Sequence, residues 1–267
     1  MKRALCIGIN YANSEMELYG AVNDAQDWAT LLVERGVQVQ NVLLEKEATR
    51  ANILKGLTEL LQATGPNELA IITFAGHGTW VPDLDGDEID GRDEAWCPYD
   101  LDNELILDDE LYLLFDQNRK PEARVALIAD SCHSGTVMRS APKKKPGKRV
   151  KKRFLPPYDL PQFKGLQKSI DTALKQEHMP LAWMTQGVVC MSACSDKEFA
   201  FDTEFDGRPK GAFSYYLQQL IPKLPPQATY RDLFRLVRNH LPSDECPQTP
   251  VLSGPKYAQL WEVFSNG

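Results

Sequence analysis

The stretch RVALIADSCHSG, residues 124–135, decides how the rest of the chain is read. Ala126 to Ala129 is a short apolar run, too brief for a buried helix, and it stops abruptly at a carboxylate, Asp130. The spacing predicts a buried strand. A thiol, Cys132, an imidazole, His133, and a closing glycine, Gly135, follow at once. A strand that ends beneath its most reactive side chain is a rigid mount, and parallel sheets carry their sites beyond the carboxyl ends of their strands.

Working outward, similar runs recur at residues 3–9, 37–44, 68–76 and 187–193, with helical stretches between the earlier ones. Residues 23–36 end in Gly36, which suits a helix C-terminus, and residues 49–61 open on Thr49 as a cap before Ile53, Leu54, Leu57, Leu60 and Leu61 on one face. The alternation predicts an α/β fold: a mainly parallel central sheet flanked by helices on both faces. Two further helices are expected over residues 211–221 and 230–241. Residues 140–182 break the pattern. They lack a clear strand, are rich in proline and are long for a connection inside a compact domain, hence functional or disordered.

Composition narrows the classes of function. The net charge is −7, yet residues 143–153, KKKPGKRVKKR, carry eight Lys or Arg and no acid, so the rest of the chain carries about −15. That acidic body opposes phosphate, and no aromatic interleaves the basic run, so no nucleic-acid partner is expected. No apolar run approaches the roughly 20 residues of a membrane span, and the N-terminus reads as a strand, not a leader. A cytoplasmic location with no membrane partner is expected. Six cysteines without a CxxC pair read as reduced thiols, and Cys190 and Cys194 as core residues.

A second strand ends as the first does: in IITFAGHGT, residues 71–79, His77 stands between two glycines. A thiolate is the nucleophile of cysteine chemistry, and a nearby imidazole can take its proton and later protonate a leaving amine. The amides of Gly78 and Cys132 can hold an oxyanion. From spacing alone two readings stay open, a Cys132/His77 pair that does chemistry or an ordinary half-buried cysteine and a loop histidine. His133 is a rival base, although adjacent side chains diverge on extended backbone.

FAGHGT and DSCHSG, preceded by YAN and LYGAVNDA and followed by SACSDKEFAFD and GAFSYYL, resemble the metacaspases among the caspase-like cysteine peptidases. The resemblance runs through nearly the whole chain in order. It implies a single caspase-like domain over 1–267, made of a larger catalytic part (1–139), a linker with a processing site (140–182) and a smaller part (183–267). It implies a cysteine endopeptidase with a His77 and Cys132 dyad, cutting proteins after Arg or Lys because Asp24 and Asp130 line the primary pocket. Asp130 and Cys132, two apart on a strand, also share a face.

The linker is expected to be cut by the enzyme itself or an upstream protease. Arg149 and Arg153 are the preferred sites, with Lys144 and Lys152 behind them, because eight basic residues cannot pack in a core and the segment should be solvated. The other reading is a caspase-like protease switched on by another protease and dedicated to one target, such as a toxin or signalling partner. Residues 81–94 are acidic, but Glu88 stands where an EF-hand loop needs glycine. The resemblance instead offers Asp93, Asp108 and Asp109 as calcium ligands, while Arg139 replaces the expected fourth. No cofactor is expected to be required, with calcium at most weakly bound.

Overall fold

The computed structural model describes residues 1–82, 92–101, 105–132, 149–160, 187–195 and 198–266. Strand β1 (Lys2–Gly8) leads into helix α1 (Ala21–Glu34), strand β2 (Gln38–Leu44), helix α2 (Arg50–Ala63) and strand β3 (Leu69–Ala75). Three short strands follow, β4 (Gly78–Pro82), β5 (Arg92–Trp96) and β6 (Ile106–Leu107), then helix α3 (Asp108–Asn118) and strand β7 (Arg124–Asp130). Beyond it lie β8 (Lys151–Lys152), β9 (Val188–Ser192), β10 (Phe201–Phe205), β11 (Arg208–Gly211), helices α4 (Ala212–Leu220) and α5 (Tyr230–Val237), and β12 (Val251–Ser253).

The central sheet has six strands in the order β12-β9-β7-β3-β1-β2. All pairs are parallel except β12 with β9, at one edge. Because side chains alternate across a strand, odd and even residues feed different cores. Leu5, Ile7, Ile72, Phe74, Val125 and Leu127 pack with Leu57 and Leu60 of α2 and Phe115 of α3. Cys6, Ile71, Ala126, Ile128 and Met191 pack on the other face with Trp28 of α1, Phe213 and Leu217 of α4 and Leu233 of α5. The expected strands and the helices on both faces are therefore present.

Local chemistry accounts for the helix ends. The Thr49 side chain accepts from the Asn52 amide at the start of α2, and Thr229 and Asp232 form a reciprocal capping box at the start of α5. Gly36, at φ +71°, lets the chain turn after α1. All six cysteines are free and buried. Among the described residues, no helix is long and apolar enough to cross a membrane.

Two small sheets flank the carboxyl ends of the central strands, β4-β5-β6 and β11-β10-β8. Strand β8 falls inside the segment expected to lack strands. It is two residues long and wholly basic, so it carries no apolar pattern; it exists because Lys151 and Lys152 pair antiparallel with Asp202 and Phe201 of β10.

Candidate active site

Strands β3 and β7 pair in register, with Ala75 opposite Asp130, so the residues two places further on, His77 and Cys132, leave the same sheet edge side by side. Both are buried. His77 is anchored at three points. Its Nε2 lies 2.7 Å from the Met16 carbonyl, its amide donates to the Tyr11 hydroxyl at 3.1 Å, and the Tyr11 ring packs on its imidazole with centroids 4.9 Å apart. A carbonyl only accepts, so it sets the tautomer with the proton on Nε2 and leaves Nδ1 as a lone pair. That Nδ1 is buried with no hydrogen-bond partner among the described residues. Burial pushes the imidazole down to about 4; the Met16 carbonyl opposes this, while the charges of Arg153 and Lys151 add to it. The ring is a neutral acceptor at pH 7.

The segment from Lys151 to Leu155 threads the edge beside this pair. Arg153 donates its amide to the Ala200 carbonyl at 2.9 Å, and Leu155 donates its amide to the Gly78 carbonyl at 3.0 Å. Between these two anchors the Arg153 carbonyl accepts from the amides of both Gly78, at 3.1 Å, and Cys132, at 3.2 Å. The two amides expected to hold an oxyanion thus already converge on one peptide carbonyl. Cys132 Sγ accepts from the Ala200 amide at 2.7 Å. A cleft of about 670 Å³ opens alongside, flanked by Met16, His77, Lys151, Phe154 and Asp159.

The Arg153 side chain is completely buried, against the expectation that this basic run is wholly solvated. The reason is a nest of three carboxylates. Arg153 Nη2 stands 2.5 Å from Asp24 Oδ2 and 3.3 Å from Asp202 Oδ2, and Nη1 stands 3.2 Å from Asp130 Oδ2. Nη1 also donates to the Asp130 backbone carbonyl at 3.1 Å. The carboxylates are themselves held by amides: Gly211 donates to Asp24, Ser214 to Asp130 and Gly20 to Asp202. Burial drives the Asp24 carboxyl up to about 7 despite the guanidinium beside it, and moves Asp202 up for the same reason. Arg153 is held charged: burial opposes the charge, but the three carboxylates outweigh it.

Gly211 makes room for this nest. A Cβ there would fall on the Asp130 carboxylate and the Arg153 guanidinium. Arg149, the other expected cleavage position, is exposed and not in the nest; its carbonyl accepts from the Thr203 hydroxyl at 3.0 Å. Lys144, Arg139 and His133 lie outside the described residues, as does most of the expected linker.

Asp93 lies on β5, and Asp108 and Asp109 open α3. Burial, with the charges of Glu94, Asp109 and Asp93, pushes the Asp108 carboxyl up to about 9, and its Oδ2 has no hydrogen-bond partner among the described residues. The orphaned oxygen suits a cation. Yet among the described residues no three His, Cys, Asp or Glu side chains are arranged to hold a metal ion.

Sequence reasoning missed Asp202, Gly211, Met16, Tyr11 and Ala200. Asp202 closes the motif SACSDKEFAFD and Gly211 opens GAFSYYL, so the signal for those two was in view. Met16 and Ala200 act through backbone atoms and leave no trace in side-chain chemistry.

A mainly parallel sheet bearing a histidine and a cysteine at adjoining strand ends is the architecture of a caspase-like fold, and known proteins agree. The fold matches a crystal structure of caspase-1 from Spodoptera frugiperda with a TM-score of 0.56 at 11% identity, over 95% of this chain and 85% of that one. It matches the crystal structure of a Geobacter sulfurreducens protein with a TM-score of 0.73 at 26% identity, over 100% and 99% of the two chains. Metacaspase-1 of Cryptococcus neoformans is 32% identical over 94% of this chain. The chain spans 62% of the length of that relative. Residues 2–141 match the family model for the metacaspase, peptidase C14 domain. The chain belongs to the metacaspase family of cysteine peptidases.

Proposed function

We propose that this chain is a cysteine endopeptidase that cuts proteins after Arg, and less well after Lys, and that its first substrate is its own linker at Arg153. One observation carries the reading: a single arginine has its side chain among three buried carboxylates and its carbonyl between two amides at the Cys132 strand end. That is how a substrate's residue before the scissile bond must sit. A guanidinium presents several donors in a fixed fork and can engage more than one carboxylate, whereas an ammonium is a point charge.

In this reading His77 Nδ1 takes the Cys132 proton and the thiolate attacks the Arg153 carbonyl carbon. The oxygen becomes an oxyanion held by the amides of Gly78 and Cys132. Collapse breaks the bond to Phe154, whose nitrogen leaves with the proton from His77, and an acyl thioester remains on Cys132. Water, deprotonated by His77, then hydrolyses the thioester and restores the thiol. Asp24, Asp130 and Asp202 bind and orient. Arg149 is a lesser site, because its side chain lies outside the nest. Location in the cytoplasm belongs to the same proposal.

Calcium, where present, would be held loosely by Asp93, Asp108 and Asp109 and would supply only structural charge balance. A chelator is expected to leave most of the activity intact; complete loss restored by micromolar calcium would overturn that view.

The deciding experiment is a panel of fluorogenic peptides ending in Arg, Lys, Asp or Asn, run on the purified chain and on Cys132→Ala. Release after Arg by the wild type alone is expected. Preferred cutting after Asp, or full activity in His77→Ala, would sink the assignment. Mass spectrometry of the linker in both proteins separates self-processing from an upstream protease, since a chain cut by another enzyme is nicked equally in Cys132→Ala.

A further inference from the structure

The residues ahead of Arg153 make contacts that a single-residue pocket does not explain. Along an extended segment, positions two apart face the same way. Arg149 and Lys151 therefore share the side of Arg153, and both of their cationic groups stand over one ring: Tyr19 has the Arg149 guanidinium 5.4 Å and the Lys151 ammonium 5.6 Å from its centroid. Lys152 faces the other way, and its ammonium stands 4.0 Å above the centroid of Phe199. Phe199 is buried, and its ring also packs against Phe154, with centroids 5.5 Å apart. It therefore touches Lys152, ahead of the Arg153–Phe154 bond, and Phe154 just after it. Its position is set by the chain itself, because the next residue, Ala200, accepts the Arg153 amide.

We propose that Phe199 and Tyr19 are specificity-determining residues that extend recognition from one basic residue to a basic run. In this scheme Phe199 reads a cation one place before the arginine of the scissile bond, and Tyr19 reads cations two and four places before it. The inference rests on Arg153 marking the scissile position. The ring faces attract the cations through their quadrupoles, a contact that needs the cation over the ring and not merely nearby. The substrates so selected are proteins with exposed Lys-Lys-Arg runs, followed by a residue that can pack on the Phe199 ring as Phe154 does.

The test compares kcat/KM for three peptides that release a coumarin after Arg: Val-Lys-Lys-Arg, the same with norleucine for the second Lys, and the same with norleucine for the first. Norleucine keeps the length and apolar stem of Lys and removes the charge. The full-length chain is assayed, together with Arg153→Ala, which vacates the nest without any cut, in wild-type, Phe199→Leu, Phe199→Tyr and Tyr19→Leu backgrounds.

Loss of the second Lys is expected to cost about two- to fivefold when the ring is Phe or Tyr and to cost nothing with Leu at 199. Loss of the first Lys is expected to cost about twofold, and only while Tyr19 is present. Equal rates for the three peptides would overturn the proposal, as would a Lys preference that persists without the rings and fades with salt, which is general attraction to an acidic surface. Cleavage after Arg with no such preference leaves the Arg reading standing and removes this one. Absence of any cleavage after Arg removes both.

Discussion

Arg153 is held by carboxylates that reach it from three distant stretches of sequence, and that of Asp24 ties the grip to pH. Asp24 is raised by burial to about 7 even with the guanidinium beside it. A carboxyl that must be ionised to hold a guanidinium therefore loses its grip as pH falls through that value. The KM for an Arg peptide is expected to rise about threefold or more between pH 8 and pH 6, and to rise much less in Asp24→Asn. Initial-rate kinetics over that range check it. Asp202→Asn and Asp130→Asn should each weaken the transition state for Arg peptides by roughly 2–5 kcal/mol, since each strands part of a buried charge. Arg153→Lys should slow self-cleavage at that bond by about tenfold, because an ammonium cannot engage three carboxylates as a fork does; a gel time course reads it. If the Lys variant cuts itself as fast as the wild type, the nest is not selecting for shape.

At the scale of elements, the turn from β11 into α4 shapes the nest. Gly211 ends β11, and the amides of Gly211 and Ser214 hold Asp24 and Asp130. Gly211→Ala places a methyl where the guanidinium lies, and overpacking of this kind costs about 1–3 kcal/mol. The expected result is a loss of about tenfold or more in kcat/KM for Arg peptides, with self-cleavage slowed alongside. The elements also explain what could be read beforehand. β1, β3, β7 and β9 declared themselves as apolar runs because they are buried on both faces of the sheet, while β2, at the edge, is only partly buried and mixes Gln and Asn with Val and Leu. β8, β10 and β11 did not, because they are short and largely polar: β10 and β11 form a hairpin, and β8 exists only by pairing with β10 far along the chain. His77 and Cys132 were legible because each follows a recognisable strand directly. The third carboxylate lay within a quoted motif but was not singled out, since its role depends on Asp24 and Asp130, which are remote in sequence. The burial of Arg153 was illegible for the same reason: within a run of eight basic residues, only the positions of three remote acids mark out one of them.

For the molecule as a whole, the sheet decides what a cut in the linker can do. β9 lies beyond the linker in sequence but pairs directly with β7, and Val189, Met191, Phe213 and Leu217 share one core with Trp28, Ala126 and Ile128. A chain cut at Arg153 should therefore still migrate as one particle in size-exclusion chromatography and fall into two pieces only in denaturant. Elution of separate fragments without denaturant would contradict the pairing.

The shared sheet also changes the molecularity of folding. An intact chain brings β9 to β7 as a tethered segment, so its refolding rate does not depend on protein concentration. After the cut the same pairing must be found by collision between two chains, and the rate falls with every dilution. The processed protein can be as well folded as its precursor yet unable to recover from unfolding when scarce, so the cut turns a molecule that can rebuild itself into one that is used once.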